Sequence, residues 1–211
     1  MEAVLLENGV TRGVALADGT EEHFDAVVMC AGAISTPMLL LSSGMGAINP
    51  QIGVGLQDHP TIAFTMARVD SDRGVFDASV HLKGVTNSGG RFMVLAYERV
   101  SREVSSDALI TVSLMSPTSR GTISMLDGEV SVSMNMLSTQ ADIDGMRESV
   151  RELVRICHLP SVQRTTRSIV VDDRGAHLQD LEGLGGVELD QWIRGHLSFV
   201  SHASSSCSSA I

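Results

Sequence analysis

Val27-Val28-Met29-Cys30-Ala31-Gly32-Ala33-Ile34-Ser35-Thr36-Pro37-Met38-Leu39-Leu40-Leu41-Ser42-Ser43-Gly44-Met45-Gly46 is the stretch on which the fold turns. Val-Val-Met-Cys is apolar at consecutive positions, as in a strand covered on both faces, so a strand is expected from about Phe24 to Cys30. Ala31-Gly32-Ala33 then lets the backbone turn tightly and be approached closely. Ser35 or Thr36 can cap a helix, Pro37 suits its first turn, and a short helix is expected over Met38–Ser43. Gly44 is a suitable left-handed stop. Taken alone, the pattern fits an ordinary α/β packing corner as well as a cofactor corner.

Upstream, residues 3–6 and 12–17 read as strands split by Glu7-Asn8-Gly9, and Asn-Gly between apolar runs signals a hairpin. A second turn is expected at Asp18-Gly19-Thr20. Downstream, Ile52-Gly53-Val54-Gly55-Leu56-Gln57-Asp58-His59-Pro60 reads as a loop carrying an acid–base pair. Strands are expected at 61–69, 91–97, 108–115, 119–126 and 129–136, with turns at 70–74 and 86–90 and a hairpin at Leu126-Asp127-Gly128. Short turns between strands point to an antiparallel sheet. A helix is expected over 140–157, because Ile143, Met146, Val150, Leu153, Val154 and Cys157 share one face. Thr139 with Asp142 resembles a capping box, and His158 sits at the C-terminal end, where the helix dipole favours it. Residues 159–187 read as a polar loop. A shorter helix is expected at 188–195 with Leu189, Trp192 and Ile193 inward, followed by a serine-rich tail containing His202.

The 211 residues suffice for one good core or two small domains. Hydrophobic content of 43% with 19% charged residues is that of a folded chain, and 3% aromatics leaves the core to aliphatics and 11 methionines. The net charge of −10 argues against nucleic-acid binding and against an anionic membrane surface. It leaves room for a phosphate-bearing cofactor, which backbone N–H groups can hold. Cys30, Cys157 and Cys207 form no CxxC and no metal spacing, so neither a disulfide framework nor a metal site is expected, and a reducing cytoplasm fits best. No apolar run reaches the roughly 18 residues of a membrane-spanning helix.

Taken together, several stretches resemble the glucose–methanol–choline (GMC) family of FAD-dependent oxidoreductases. Residues 32–46 are similar, almost position by position, to that family's second signature, with Thr-Pro, the aliphatic pair and Ser-Gly-Met-Gly at family spacing. Residues 52–59 resemble the Val-Gly-x-Asn-Leu-Gln-Asp-His segment, with Gly55 where the family has Asn. Residues 116–123 resemble a Pro-x-Ser-x-Gly strand of the substrate domain. His202-Ala203-Ser204-Ser205-Ser206-Cys207 falls on the family's His-x-x-Gly-Thr-Cys, with Ser205 in the glycine position. The strand–GxGxxG–helix unit of the family is absent, as are the second catalytic His or Asn and the closing flavin-contact segment.

The resemblance implies an α/β fold with an α+β part: a partial FAD-binding domain in residues 1–60, an antiparallel-sheet substrate domain flanked by helices in 61–195, and a return segment in 196–211. It implies FAD as cofactor and a small alcohol as substrate. His202 would be the base that takes the hydroxyl proton, which neutral imidazole suits. Ala31, Gly32 and Ala33 would lie against the cofactor, and Asp58 and His59 would hold the cofactor-side domain junction. The expectation is a truncated gene product of this family. The alternatives are a non-catalytic fragment or binding module that keeps the substrate-domain sheet without holding FAD, and a general α/β protein whose motifs match by coincidence.

Overall fold

Asn8 and Gly9 take the paired left-handed conformations that their residue types permit, with φ of 51° and 77°, and so close the first hairpin. The computed structural model describes residues 2–68, 80–97, 107–164, 166–172 and 174–208. The chain begins with β1 (Ala3–Glu7), β2 (Val10–Ala15), β3 (Glu21–His23) and α1 (Gly32–Ser42), followed by a single 3-10 turn at Met45–Ala47. Next come β4 (Val54–Leu56), β5 (Pro60–Arg68), β6 (Val80–Val85), β7 (Arg91–Tyr97), β8 (Asp107–Leu114), β9 (Gly121–Leu126) and β10 (Glu129–Ser133). The remainder is α2 (Gln140–Cys157), α3 (Pro160–Gln163), β11 (Thr166–Val170), α4 (Leu178–Glu182), α5 (Gly186–Gly195) and β12 (Ser198–Phe199). The fold is mixed α/β, and every strand pairing among the described residues is antiparallel.

Two compact units share the chain. The first comprises residues 1–58, 119–136 and 202–211. It holds the β1-β2-β3 sheet, α1 and a second sheet in the order β10-β9-β4. Asp127 and Gly128, both left-handed, close the expected β9–β10 hairpin. Gly53 must be glycine, because a Cβ there would stand 2.0 Å from the Ile123 carbonyl oxygen and its φ is 82°.

The second unit comprises residues 59–118 and 137–201. Its sheet runs β11-β5-β8-β7-β6, with β12 also paired to β5. Ile62, Phe64 and Met66 of β5 alternate inward with Val94, Ile110, Val112 and Leu114 of its neighbours. Against that face lies α2, whose Met146, Val150, Leu153, Val154 and Cys157 are all buried, as the 3.6-residue period requires. Each such side chain contributes roughly 1.5–3 kcal/mol by leaving water. Thr139 Oγ1 accepts from the Asp142 N–H at 3.3 Å, the expected cap. The Asp142 carboxylate, itself buried, also accepts from the N–H and hydroxyl of Thr118, both at 2.8 Å. Arg147 forks onto both carboxylate oxygens of Asp190 at 2.6 Å and so ties α2 to α5.

Several expectations are corrected. Residues 24–30 form no strand: no described strand pairs with them and Val28 is 84% exposed. An apolar run becomes a doubly covered strand only where neighbouring strands supply hydrogen-bond partners, and none among the described residues does so here. The helix that follows starts at Gly32 rather than Met38, which puts Pro37 in its second turn. Residues 54–56 are a short strand rather than loop, paired with β9. Within 159–187 stand α3, α4 and the edge strand β11, held by pairing to β5 that local sequence does not announce. The strand β6 likewise went unread and pairs with β7 over 80–85. The turn expected at 70–74 lies outside the described residues.

Candidate functional site

In the first unit, Pro37 shapes the site through the hydrogen bond it cannot make. Within a helix, the residue-37 N–H would donate to the Ala33 carbonyl, and proline has none to give. The hydroxyl of Ser206 donates to that carbonyl instead. Ser206 is 2% exposed, so its own hydroxyl is buried where it makes this bond. The serine-rich tail is therefore not a loose end but a return segment seated against α1.

Backbone contacts extend that seat. The Gly53 N–H donates to the Ser206 carbonyl at 2.8 Å, and Gln57 and Ser204 exchange backbone bonds at 2.9 and 3.1 Å. Asn49 Nδ2 donates to the Ser208 carbonyl at 3.2 Å, and Gln57 Nε2 donates to the Ser205 hydroxyl at 3.0 Å. Gly55 has φ of 94°, and a Cβ there would come within 3.0 Å of the Ser205 carbonyl oxygen. Left-handed backbone is tolerated by both Gly and Asn, which accounts for Gly55 standing where the resembling family has Asn. Ser205 itself sits at φ 67°, a conformation better suited to the family's glycine.

A cavity of about 470 Å³ opens here, lined by Met29, Cys30, Gly32, Ala33, Thr36 and the 205–208 segment. Among the described residues its walls are mostly small side chains and backbone, with no Lys, Arg, Asp or Glu. The Ala31 N–H donates to Thr36 Oγ1 at 3.1 Å, and α1 begins without a side-chain cap. Cys30 and Cys207 are both exposed on this cavity. Burial pushes the Cys207 thiol up, and a hydrogen bond from Ser206 opposes that in part.

Of the residues singled out from sequence, Gly32 and Ala33 line the cavity and Ala31 adjoins them. His202 begins the return segment in the same unit but is exposed and does not line the cavity. Asp58 is buried at the end of the 52–58 stretch. His59 belongs to the second unit, where its Nδ1 lies 3.2 Å from the Leu114 carbonyl oxygen. Among the described residues, no group of three His, Cys, Asp or Glu side chains could hold a metal. Likewise no helix is long and apolar enough to cross a membrane. Sequence reading missed Ser206, Gln57 and Asn49. The one available signal was Pro37, whose absent N–H demands a substitute donor for Ala33.

Residues 3–61 match the family described as GMC oxidoreductase. No curated protein matches the chain by sequence. Among solved structures, a variant formate oxidase from Aspergillus oryzae RIB40, made to study FAD modification, superposes with a TM-score of 0.73 at 14% identity. That match covers 97% of this chain and 49% of the oxidase. A FAD-dependent oxidoreductase from Chaetomium thermophilum superposes with a TM-score of 0.68 at 13% identity, over 96% of this chain and 50% of that one. At such identities the likeness is one of fold, and the chain spans about half the length of these structures.

Proposed function

We propose, from the match of residues 3–61 to the GMC oxidoreductase family, that the chain forms part of a FAD-dependent oxidoreductase acting on the CH–OH group of a small alcohol. The observation that carries this reading is the convergence, in one unit, of three stretches far apart in sequence: the start of α1, residues 52–57 and the 204–208 return segment. The cavity between the start of α1 and the return segment fits the flat ring of a flavin, since Gly32, Ala33 and the 205–208 backbone permit close approach. It does not fit a diphosphate by charge, because no basic side chain lines it among the described residues. The uncapped first turn of α1 offers N–H donors to the ring edge.

Bound FAD would supply the hydride acceptor for the alcohol carbon. The part of this chain is to hold the substrate hydroxyl and take its proton. His202 is the residue assigned to that proton, with neutral imidazole as the accepting form. The 204–208 segment, pinned by Ser206 to Ala33 and by Gln57 to Ser204, fixes where the backbone leaving His202 runs. Asp58 and His59 hold the chain where one unit passes into the other in sequence.

A second reading, a binding module that retains the sheet without the cofactor, draws support from residues 24–30, which have no described strand alongside them. One experiment separates the two. The purified chain is incubated with FAD, gel-filtered and its visible spectrum recorded. Co-eluting flavin absorbance is expected on the first reading, and a folded, colourless chain overturns it for the isolated polypeptide. With flavin retained, His202→Ala is expected to abolish alcohol-dependent bleaching while leaving the oxidised spectrum intact. Unchanged bleaching removes His202 from the role of base.

A further inference from the structure

The strand β10 has the sequence Glu129-Val130-Ser131-Val132-Ser133, and it pairs with β9 on one side only. On its other side no strand pairs with it among the described residues, and all five of its residues are exposed. Natural sheets blunt such an edge with proline, lysine, a bulge or an inward-pointing charge. The sequence of β10 has no proline or lysine, its register with β9 is unbroken, and its one charge stands at the first residue.

The closing turn decides which backbone groups face outward. Around the two-residue turn Asp127-Gly128, the flanking pair Leu126 and Glu129 exchanges backbone hydrogen bonds, and every second pair repeats this. Glu129, Ser131 and Ser133 therefore direct their N–H and C=O groups to β9, and Val130 and Val132 direct theirs to the open edge. The side chains of Val130 and Val132 share a face with those opposite them, Met125 and the buried Ile123. They stand at the rim of that face, 37% and 42% exposed.

This edge is complementary to itself. Val130-Ser131-Val132 reads the same in both directions, so a twofold axis through Ser131 sets Val130 opposite the partner's Val132. Both valines have outward backbone groups, and each such pair exchanges N–H···O=C bonds. A slip of one residue sets outward groups against inward ones and loses those bonds. In the centred register an apolar row runs unbroken from Met125 through Val130 to the partner's Val132 and the partner's Ile123. Glu129 falls opposite the partner's Ser133, so no like charges face each other. We propose that two copies of this chain associate through β10 in this register, joining their β10-β9-β4 sheets across a twofold axis. Five residues a side are fewer than the roughly 20–30 of a standard interface, so the dimer is weak and depends on concentration. It involves no cofactor and stands or falls apart from the flavin reading.

The test is sedimentation of the full chain over a concentration series at roughly 0.15 M salt, where repulsion between copies of net charge −10 is largely screened. A reversible monomer–dimer equilibrium is expected. Ser131 faces its own copy across the axis in a pair without hydrogen bonds, where side chains approach most closely. Ser131→Lys and Ser131→Glu each set like charges there, and each is expected to weaken dimerisation by roughly tenfold or more. Mixing the two variants sets opposite charges there and is expected to restore the dimer, which also shows that both variants fold. A wild-type chain that stays monomeric throughout the series overturns the proposal. So does association undiminished in Ser131→Lys, which assigns the contact to another surface, and so does a mixture that stays monomeric.

Discussion

The hydrogen bond between Ser206 and the Ala33 carbonyl should exist because Pro37 makes it necessary, and a double-mutant cycle tests that dependence. In Ser206→Ala, the Ala33 carbonyl loses the hydroxyl that serves it, the residue-37 position has no N–H to take its place, and the lost donor comes from a serine that is 2% exposed. Leaving a buried acceptor without a donor costs roughly 1–3 kcal/mol. For a chain of this length, that corresponds to about 2–4 °C of Tm per kcal/mol. In Pro37→Ala the helix regains an N–H at position 37, which reaches the Ala33 carbonyl along the helix axis. Removing the Ser206 hydroxyl from that background should then cost about 0.5 kcal/mol, the lower end for a replaceable hydrogen bond. A coupling energy of about 1 kcal/mol or more is expected from urea unfolding of the four proteins. Pro37 is itself buried, so Pro37→Ala carries a packing change of its own, but that change cancels in the cycle. Additivity within about 0.3–0.5 kcal/mol would refute the link between proline and serine.

Two further outcomes follow from single positions. Ser205 holds φ at 67°, which costs a non-glycine residue about 1 kcal/mol, so Ser205→Gly should raise stability by roughly 0.5–1 kcal/mol in chemical denaturation, and a loss of stability would refute the strain. Burial pushes the Cys157 thiol up from 9.0 to about 12, so between those values the folded chain binds more protons than the unfolded one, and stability present below pH 9 is lost as pH rises toward 12. Cys157→Ala should remove that component, at most roughly 1.4 kcal/mol per pH unit, and an equal pH dependence in wild type and variant would refute it.

Parts of both units were legible because their rules are local and periodic. The face of α2 follows from the spacing of Met146, Val150, Leu153 and Cys157, and its start from Thr139. The hairpins at Asn8-Gly9 and Asp127-Gly128 follow from residue types that accept left-handed backbone. The strand β11 was not legible, since its five residues are mostly polar and are held by an edge pairing with β5, more than ninety positions away. Residues 24–30 misled for the opposite reason: their composition is that of a buried strand, but composition cannot supply the partner strands.

At the corner of residues 27–46, the amino-acid sequence by itself determined that a helix follows a small-residue turn and stops at Gly44, because backbone freedom and the left-handed stop are properties of single residues. It also placed these residues in the order of a flavoprotein family. Only the tertiary structure decided that Pro37 lies inside the helix and that the hydroxyl replacing its missing N–H comes from Ser206, 173 positions from the carbonyl it serves. Hydrogen-bond satisfaction is a demand that one residue raises and any part of the folded chain can meet. Sequence therefore reveals the demand, and only packing reveals the donor.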